Sequence, residues 1–140
     1  MRLSRADARA RFTLSPVARL ATADAAGVPH LVPVTFAVDG PRIFFAVDHK
    51  PKRSTDLRRL RNIAENPAVS LLVDSYADDW SALWWARADG RAAIGGAGSE
   101  DTGAVALLCA KYPQYAASPP RGPVVTIEVT AWSGWAFRGG

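Results

Sequence analysis

Two turn signals, Asp24-Ala25-Ala26-Gly27 and Asp39-Gly40, cut residues 17–47 into three apolar stretches. Turns of this composition are typical of hairpins. A tight turn can join only antiparallel neighbours, because a parallel pair needs a long crossover. The expected strands are Val17–Thr22, Pro29–Val38 and Arg42–Val47. In the second, Val32, Val34, Phe36 and Val38 share one face, and Leu31, Pro33, Thr35 and Ala37 share the other. Neither face carries a charge, so both are expected to be covered. One would line a barrel or sandwich core. The other needs a helix, a ligand or a second subunit. Pro33 has no N–H to give a ladder and marks an edge or a bulge.

The pattern continues through Ala68–Val73, Trp80–Ala88, a turn or bulge at Asp89-Gly90, Arg91–Ile94, Val124–Val129 and Trp132–Phe137. Three helices are expected between these strands. The first is capped by Ser4, with Asp7 in the capping-box position, and ends near Thr13. The second starts at Ser54 and stops at Asn66-Pro67. Leu57, Leu60, Ile63 and Ala64 lie on its apolar face. The third starts at Ser99 and exits at Pro113. Its Val105, Leu108, Cys109 and Tyr112 fall at helical spacing, which makes Cys109 a core residue. Six or seven antiparallel strands with peripheral helices predict a mainly β, α+β chain built on a small barrel. Residues 1–140 read as a single domain.

The chain has 140 residues, 49% hydrophobic and 21% charged, enough to bury a core. One cysteine excludes an intrachain disulfide and a cysteine-rich zinc site, and fits a reducing cytoplasm. No signal peptide and no apolar run of membrane-spanning length are visible. A net charge of +4 points to anionic partners.

Much of that charge sits in one place. Asp48-His49-Lys50-Pro51-Lys52-Arg53 follows a strand and precedes a helix that carries Arg58, Arg59 and Arg61. Backbone N–H groups and the positive end of the helix dipole favour an anion there. Lys50, Lys52 and Arg53 can add charge-assisted bonds to phosphate. The same residues also suit a solvated basic surface. Arg59 and Arg61, farther along the helix, are expected to be ordinary solvated charge.

Other chemistry is sparse. His30 and His49 are the only histidines, too few for a zinc or iron site. There is no nucleophile elbow, no GxGxxG and no P-loop. Asp78 and Asp79 read as solvated loop acids. Five tryptophans (Trp80, Trp84, Trp85, Trp132 and Trp135) exceed what such a core needs. Together they suit a flat ring system, and singly each also suits the core or a subunit contact.

The sequence resembles the flavin/deazaflavin oxidoreductase superfamily, the pyridoxamine 5′-phosphate oxidase-like split β-barrels, and in it a mycobacterial-type branch of coenzyme F420-dependent proteins. The likeness rests on Val17–Thr22, Gly27–Val34, Asp48–Arg53, Asn62–Leu71, Asp79-Trp80, Trp84-Trp85 and Trp132–Trp135. It implies a split barrel, a homodimer and cofactor grooves at the subunit interface. It implies further that Lys50, Lys52 and Arg53 bind cofactor phosphate, with Arg58 as helper. Val32, Pro33, Val34 and Thr35 would pass along the ring system. Trp80, Trp84 and Trp85, with Trp132 and Trp135, would close the site.

The expected function is an F420-dependent oxidoreductase that passes a hydride between reduced deazaflavin and a small electron-poor organic substrate. The alternatives are an FMN-binding oxidoreductase of the same fold, or a non-catalytic binder of F420, flavin or tetrapyrrole. Nucleic-acid binding through the basic stretch is a third reading, opposed by aromatics that lie in apolar strands. The expected setting is a cytoplasmic homodimer with no metal, membrane or nucleic-acid partner.

Overall fold

The computed structural model of the chain describes residues 1–47, 57–97 and 101–138. The elements are α1 (Arg5–Leu14), β1 (Ala18–Ala23), β2 (Pro29–Val34), β3 (Ala37–Asp39), β4 (Arg42–Ala46), α2 (Arg58–Glu65), β5 (Ala68–Ser75), a 3₁₀ turn (Trp80–Ala82), β6 (Trp84–Ala97), α3 (Thr102–Lys111), α4 (Pro113–Ala117) and β7 (Pro123–Ala136).

All strand pairs are antiparallel, in the order β2-β1-β5-β6-β7-β4-β3. This order puts β2 and β3 at opposite edges, although only Thr35 and Phe36 separate them in the chain. A flat seven-stranded sheet would hold its edges about 29 Å apart, six spacings of ~4.8 Å. Three residue steps span at most about 11 Å. The sheet therefore curls until its edges meet, and they meet without pairing. That is a split β-barrel.

The single expected strand Pro29–Val38 is thus two strands, interrupted at Thr35-Phe36. The cause is tertiary: the chain leaves one edge and joins the other. The two strands expected between Val124 and Phe137 are instead one, β7, with a register shift opposite Asp89/Gly90. Gly90 is needed there, since an added Cβ would lie 2.3 Å from the Glu128 carbonyl oxygen.

The main core fills the barrel with Leu20, Phe36, Ile43, Phe45, Leu71, Val73, Val125 and Ile127. Helix α1 closes it through Ala8 and Phe12, and α2 through Leu60 and Ile63. Helix α3 covers the outside of β3, β4 and β7 with Ala104 and Leu108, against Ala37, Ala46 and Val124.

The Ser4 cap forms as expected, its Oγ accepting from the Asp7 N–H at 3.1 Å. Leu57 is extended at the N-cap of α2, which runs from Arg58; the start expected at Ser54 lies outside the described residues. Asn62 takes the buried place expected of Ala64, which is exposed. Pro113 starts the short helix α4 where an exit was expected, because its fixed φ suits the first helical position. Cys109 is half-buried, its thiol directed at the Tyr115 carbonyl oxygen at 3.2 Å.

Candidate functional site

The basic stretch leaves the end of β4. Val47 donates its N–H to the Pro123 carbonyl at 2.9 Å and closes the strand pairing. Gly122 lies so close that a Cβ there would come within 2.3 Å of the Val47 carbonyl oxygen. The next residues, including Lys50, Lys52 and Arg53, fall outside the described ones.

The chain re-enters at α2, whose N-cap Leu57 gives no side-chain bond. Arg58 is exposed. Arg59 is half-buried, and its Nε is buried with no hydrogen-bond partner. Desolvation by burial lowers its pKa. The expectation that Arg59 is ordinary solvated charge is therefore wrong. The helix turns it inward while Arg58 and Arg61 are exposed, and nothing in a run of arginines marks which one turns in. One turn on, Asn62 donates from Nδ2 to the Thr22 hydroxyl of β1 at 3.1 Å. Thr22 faces His30 across the β1–β2 ladder, and His30 Nδ1 is a second buried nitrogen without a partner. A half-desolvated guanidinium whose buried Nε has no partner is costly by itself. An anion beside it removes the cost. On this observation the residues present fit a phosphate-bearing cofactor.

The four β2 residues expected along a ring system do not share a surface. Val34 is buried in the barrel and Val32 packs against the same core. Pro33 is exposed on the outer face, paired with Arg19. Thr35 lies at the break, its hydroxyl 3.0 Å from that of Tyr115.

The tryptophans divide in the same way. Trp84 and Trp132 pack on the core, Trp84 under the Arg11 guanidinium at 5.3 Å and Trp132 edge-on to Phe12 at 5.4 Å. Trp85 and Trp135 are cross-strand partners, with the Arg87 guanidinium 5.7 Å from the Trp85 ring. Trp80 sits in the 3₁₀ turn, not in a strand, and is 68% exposed. Asp79 holds that turn, its Oδ1 accepting from the Ser81 N–H and hydroxyl, so it is a cap and not a free loop acid.

The outer face of β2, β1 and β5 is open. Leu31 is 66% and Leu72 37% exposed, beside Pro33 and the half-buried Ala21. Arg19 and Asp74 border this apolar strip, with Arg87 and Asp89 of β6. Among the described residues, none supplies the covering expected for Leu31 and Pro33.

At the seam, the Tyr112 hydroxyl accepts from the Phe36 N–H at 3.0 Å and faces the carbonyls of Phe36 and Pro16 at 3.0 and 2.9 Å. Burial raises its pKa. Beside it, Lys111 Nζ donates to the carbonyls of Ser15 and Thr13 at 2.8 and 3.3 Å and lies 3.7 Å from the Phe36 ring centroid. Burial brings its pKa down to about 8.

Among the described residues, no group of three or more His, Cys, Asp or Glu could hold a metal ion. No described helix is long and apolar enough to cross a membrane.

Compared with known proteins, residues 5–136 match the family described as pyridoxamine 5′-phosphate oxidase. No curated protein matches the chain. Solved structures that share the fold include a conserved hypothetical protein from Mycobacterium tuberculosis (TM-score 0.77, 20% identity, 97% of this chain and 86% of that one). A FAD-binding protein from Mesorhizobium loti has TM-score 0.70 and 20% identity over 96% of this chain and 95% of that one. The FAD-binding protein from Mycobacterium smegmatis has TM-score 0.67 and 16% identity over 99% of this chain and all of that one.

Proposed function

Because the chain belongs to the pyridoxamine 5′-phosphate oxidase family, we propose that it is an oxidoreductase holding a flavin-type cofactor, with coenzyme F420 the first choice. The observation that carries the reading is Arg59, a half-buried guanidinium with an unpartnered Nε at the start of α2, just after the basic stretch. Lys50, Lys52 and Arg53 supply the remaining charge for the phosphate, with Arg58 at the rim. Of the β2 segment, the exposed Pro33, at the rim of the proposed subunit contact, would meet the ring. When bound, the cofactor supplies the hydride chemistry. The protein binds it, orients it and keeps water away.

A second copy of the chain is the proposed cover for Leu31, Pro33 and Leu72. Arg19, Arg87, Asp74 and Asp89 around them give that face both signs of charge, as a self-complementary interface needs. Trp85 and Trp80 would then close the site at or near the subunit contact.

FMN is the second reading, compatible with two structural neighbours that are named FAD-binding proteins and so support a flavin-type cofactor. Titration of the purified protein with F420 and with FMN, followed by cofactor fluorescence, decides between them. Consumption of reduced cofactor only when an acceptor is present then separates enzyme from binder.

A further inference from the structure

We propose that the cavity at the barrel seam is a binding site for a small aromatic carboxylate. This site is separate from the proposed cofactor anchor on α2. The cavity measures about 420 Å³ and is lined by Pro16, Val17, Thr35, Tyr112, Gln114 and Tyr115. That volume lies within the range of ligand pockets and holds one or two rings.

The walls suit a flat ring. Tyr112 and Tyr115 stand edge to face, centroids 5.6 Å apart and planes at 81°. Pro16 and Val17 complete an apolar lining. A ring packed there gains aromatic contact beyond plain area burial.

The hydroxyls specify the other end of the ligand. Tyr112 offers its proton to backbone carbonyls and takes the Phe36 N–H, so it is committed to holding the seam. Tyr115 and Thr35 are different. Their oxygens lie 3.0 Å apart, and either can donate. Two hydroxyls have two protons but share one bond. One proton is left over and needs an acceptor. A ligand that presents an oxygen lone pair satisfies it.

Charge selects among acceptors. Among the described residues, no acidic one lines the cavity. Lys111 lies behind it, 5.3 Å from the Tyr112 ring centroid, and bonds to backbone carbonyls, which do not neutralise it. A carboxylate is therefore favoured over a neutral carbonyl of the same shape.

The test uses benzoate and its neutral isostere benzamide on full-length, cofactor-free protein carrying ¹³C-labelled tyrosine. Tyr76, exposed on the loop after β5, is the internal reference. Benzoate should give saturable shifts at Tyr112 and Tyr115, with Tyr76 unmoved and benzamide weaker. The double variant Tyr115→Phe/Thr35→Val, which removes both protons, should weaken benzoate about tenfold, read at Tyr112, whereas either single change leaves one proton for the ligand. Lys111→Met should weaken benzoate about fivefold and leave benzamide unchanged. The assignment is overturned if benzoate leaves Tyr112 and Tyr115 unmoved, if Tyr76 moves in parallel with them, or if the double hydroxyl variant binds benzoate like the parent. None of these readouts involves F420 or FMN, so failure here leaves the cofactor reading standing, and the reverse.

Discussion

The hydroxyl of Tyr112 accepts the Phe36 N–H and also lies within hydrogen-bond distance of the Phe36 carbonyl, each at 3.0 Å. Phe36 is where the barrel is split, between the last residue of β2 and the first of β3. Neither edge strand reaches the other, so one side chain from the end of α3 does the work of a missing strand. Tyr112→Phe should cost about 1–3 kcal/mol, because it leaves part-buried backbone groups unmatched. Urea unfolding measures this as a lower midpoint with an unchanged slope.

Lys111 should titrate near 8 in the folded protein, against an ordinary value of 10.5. Between these values the unfolded chain binds more protons than the folded one, so stability rises with pH across that window. The carbonyls of Thr13 and Ser15 and the face of Phe36 favour the charged form and limit the size of the effect. Thermal unfolding from pH 8 to 10.5 should therefore show a rising contribution in the parent that is absent in Lys111→Met.

Arg59 opposes stability and function. Arg59→Met removes a half-buried charge with no partner for its Nε, so the cofactor-free protein should unfold at the same or a higher temperature. The same variant should bind cofactor about tenfold or more weakly, since a charge-assisted bond is worth roughly 1.5–3 kcal/mol. Calorimetry and a cofactor titration on one preparation test both halves.

Leu31 lies on the edge strand β2 of the open outer face and is 66% exposed. If a second copy covers it, Leu31→Arg buries a charge without a partner at the interface and should shift the protein towards monomer. Sedimentation at several concentrations follows the shift. An identical profile for variant and parent would remove Leu31 from any self-association.

The antiparallel hairpins were legible because their signals are local. Asp24 Oδ1 accepts from the N–H groups of Ala26 and Val28, each at 2.9 Å, and Gly27 supplies φ +82°. A turn needs little beyond such residues. The interruption at Thr35-Phe36 left no such mark. Its residues continue an apolar, β-prone run, and the break exists only because two edges of a closed sheet meet there. Arg59 and Asn62 were hidden for a related reason. In a helix with arginines at 58, 59 and 61, periodicity alone does not say which one the barrel will take in, and the orientation depends on Thr22 of β1. The tryptophans were expected to gather round one flat ring, but alternation along β6 sends Trp84 and Trp85 to opposite faces, so they form no single wall.

The central claim is that the basic segment after β4, together with Arg59, anchors the phosphate of a flavin-type cofactor. The most direct measurement is a fluorescence titration of F420 and FMN against the parent protein and against Lys52→Ala/Arg53→Ala. The account predicts saturable binding of at least one cofactor, weakened about ten- to hundredfold in the double variant. Equal affinity of parent and double variant, or no binding of either cofactor by the parent, would contradict it.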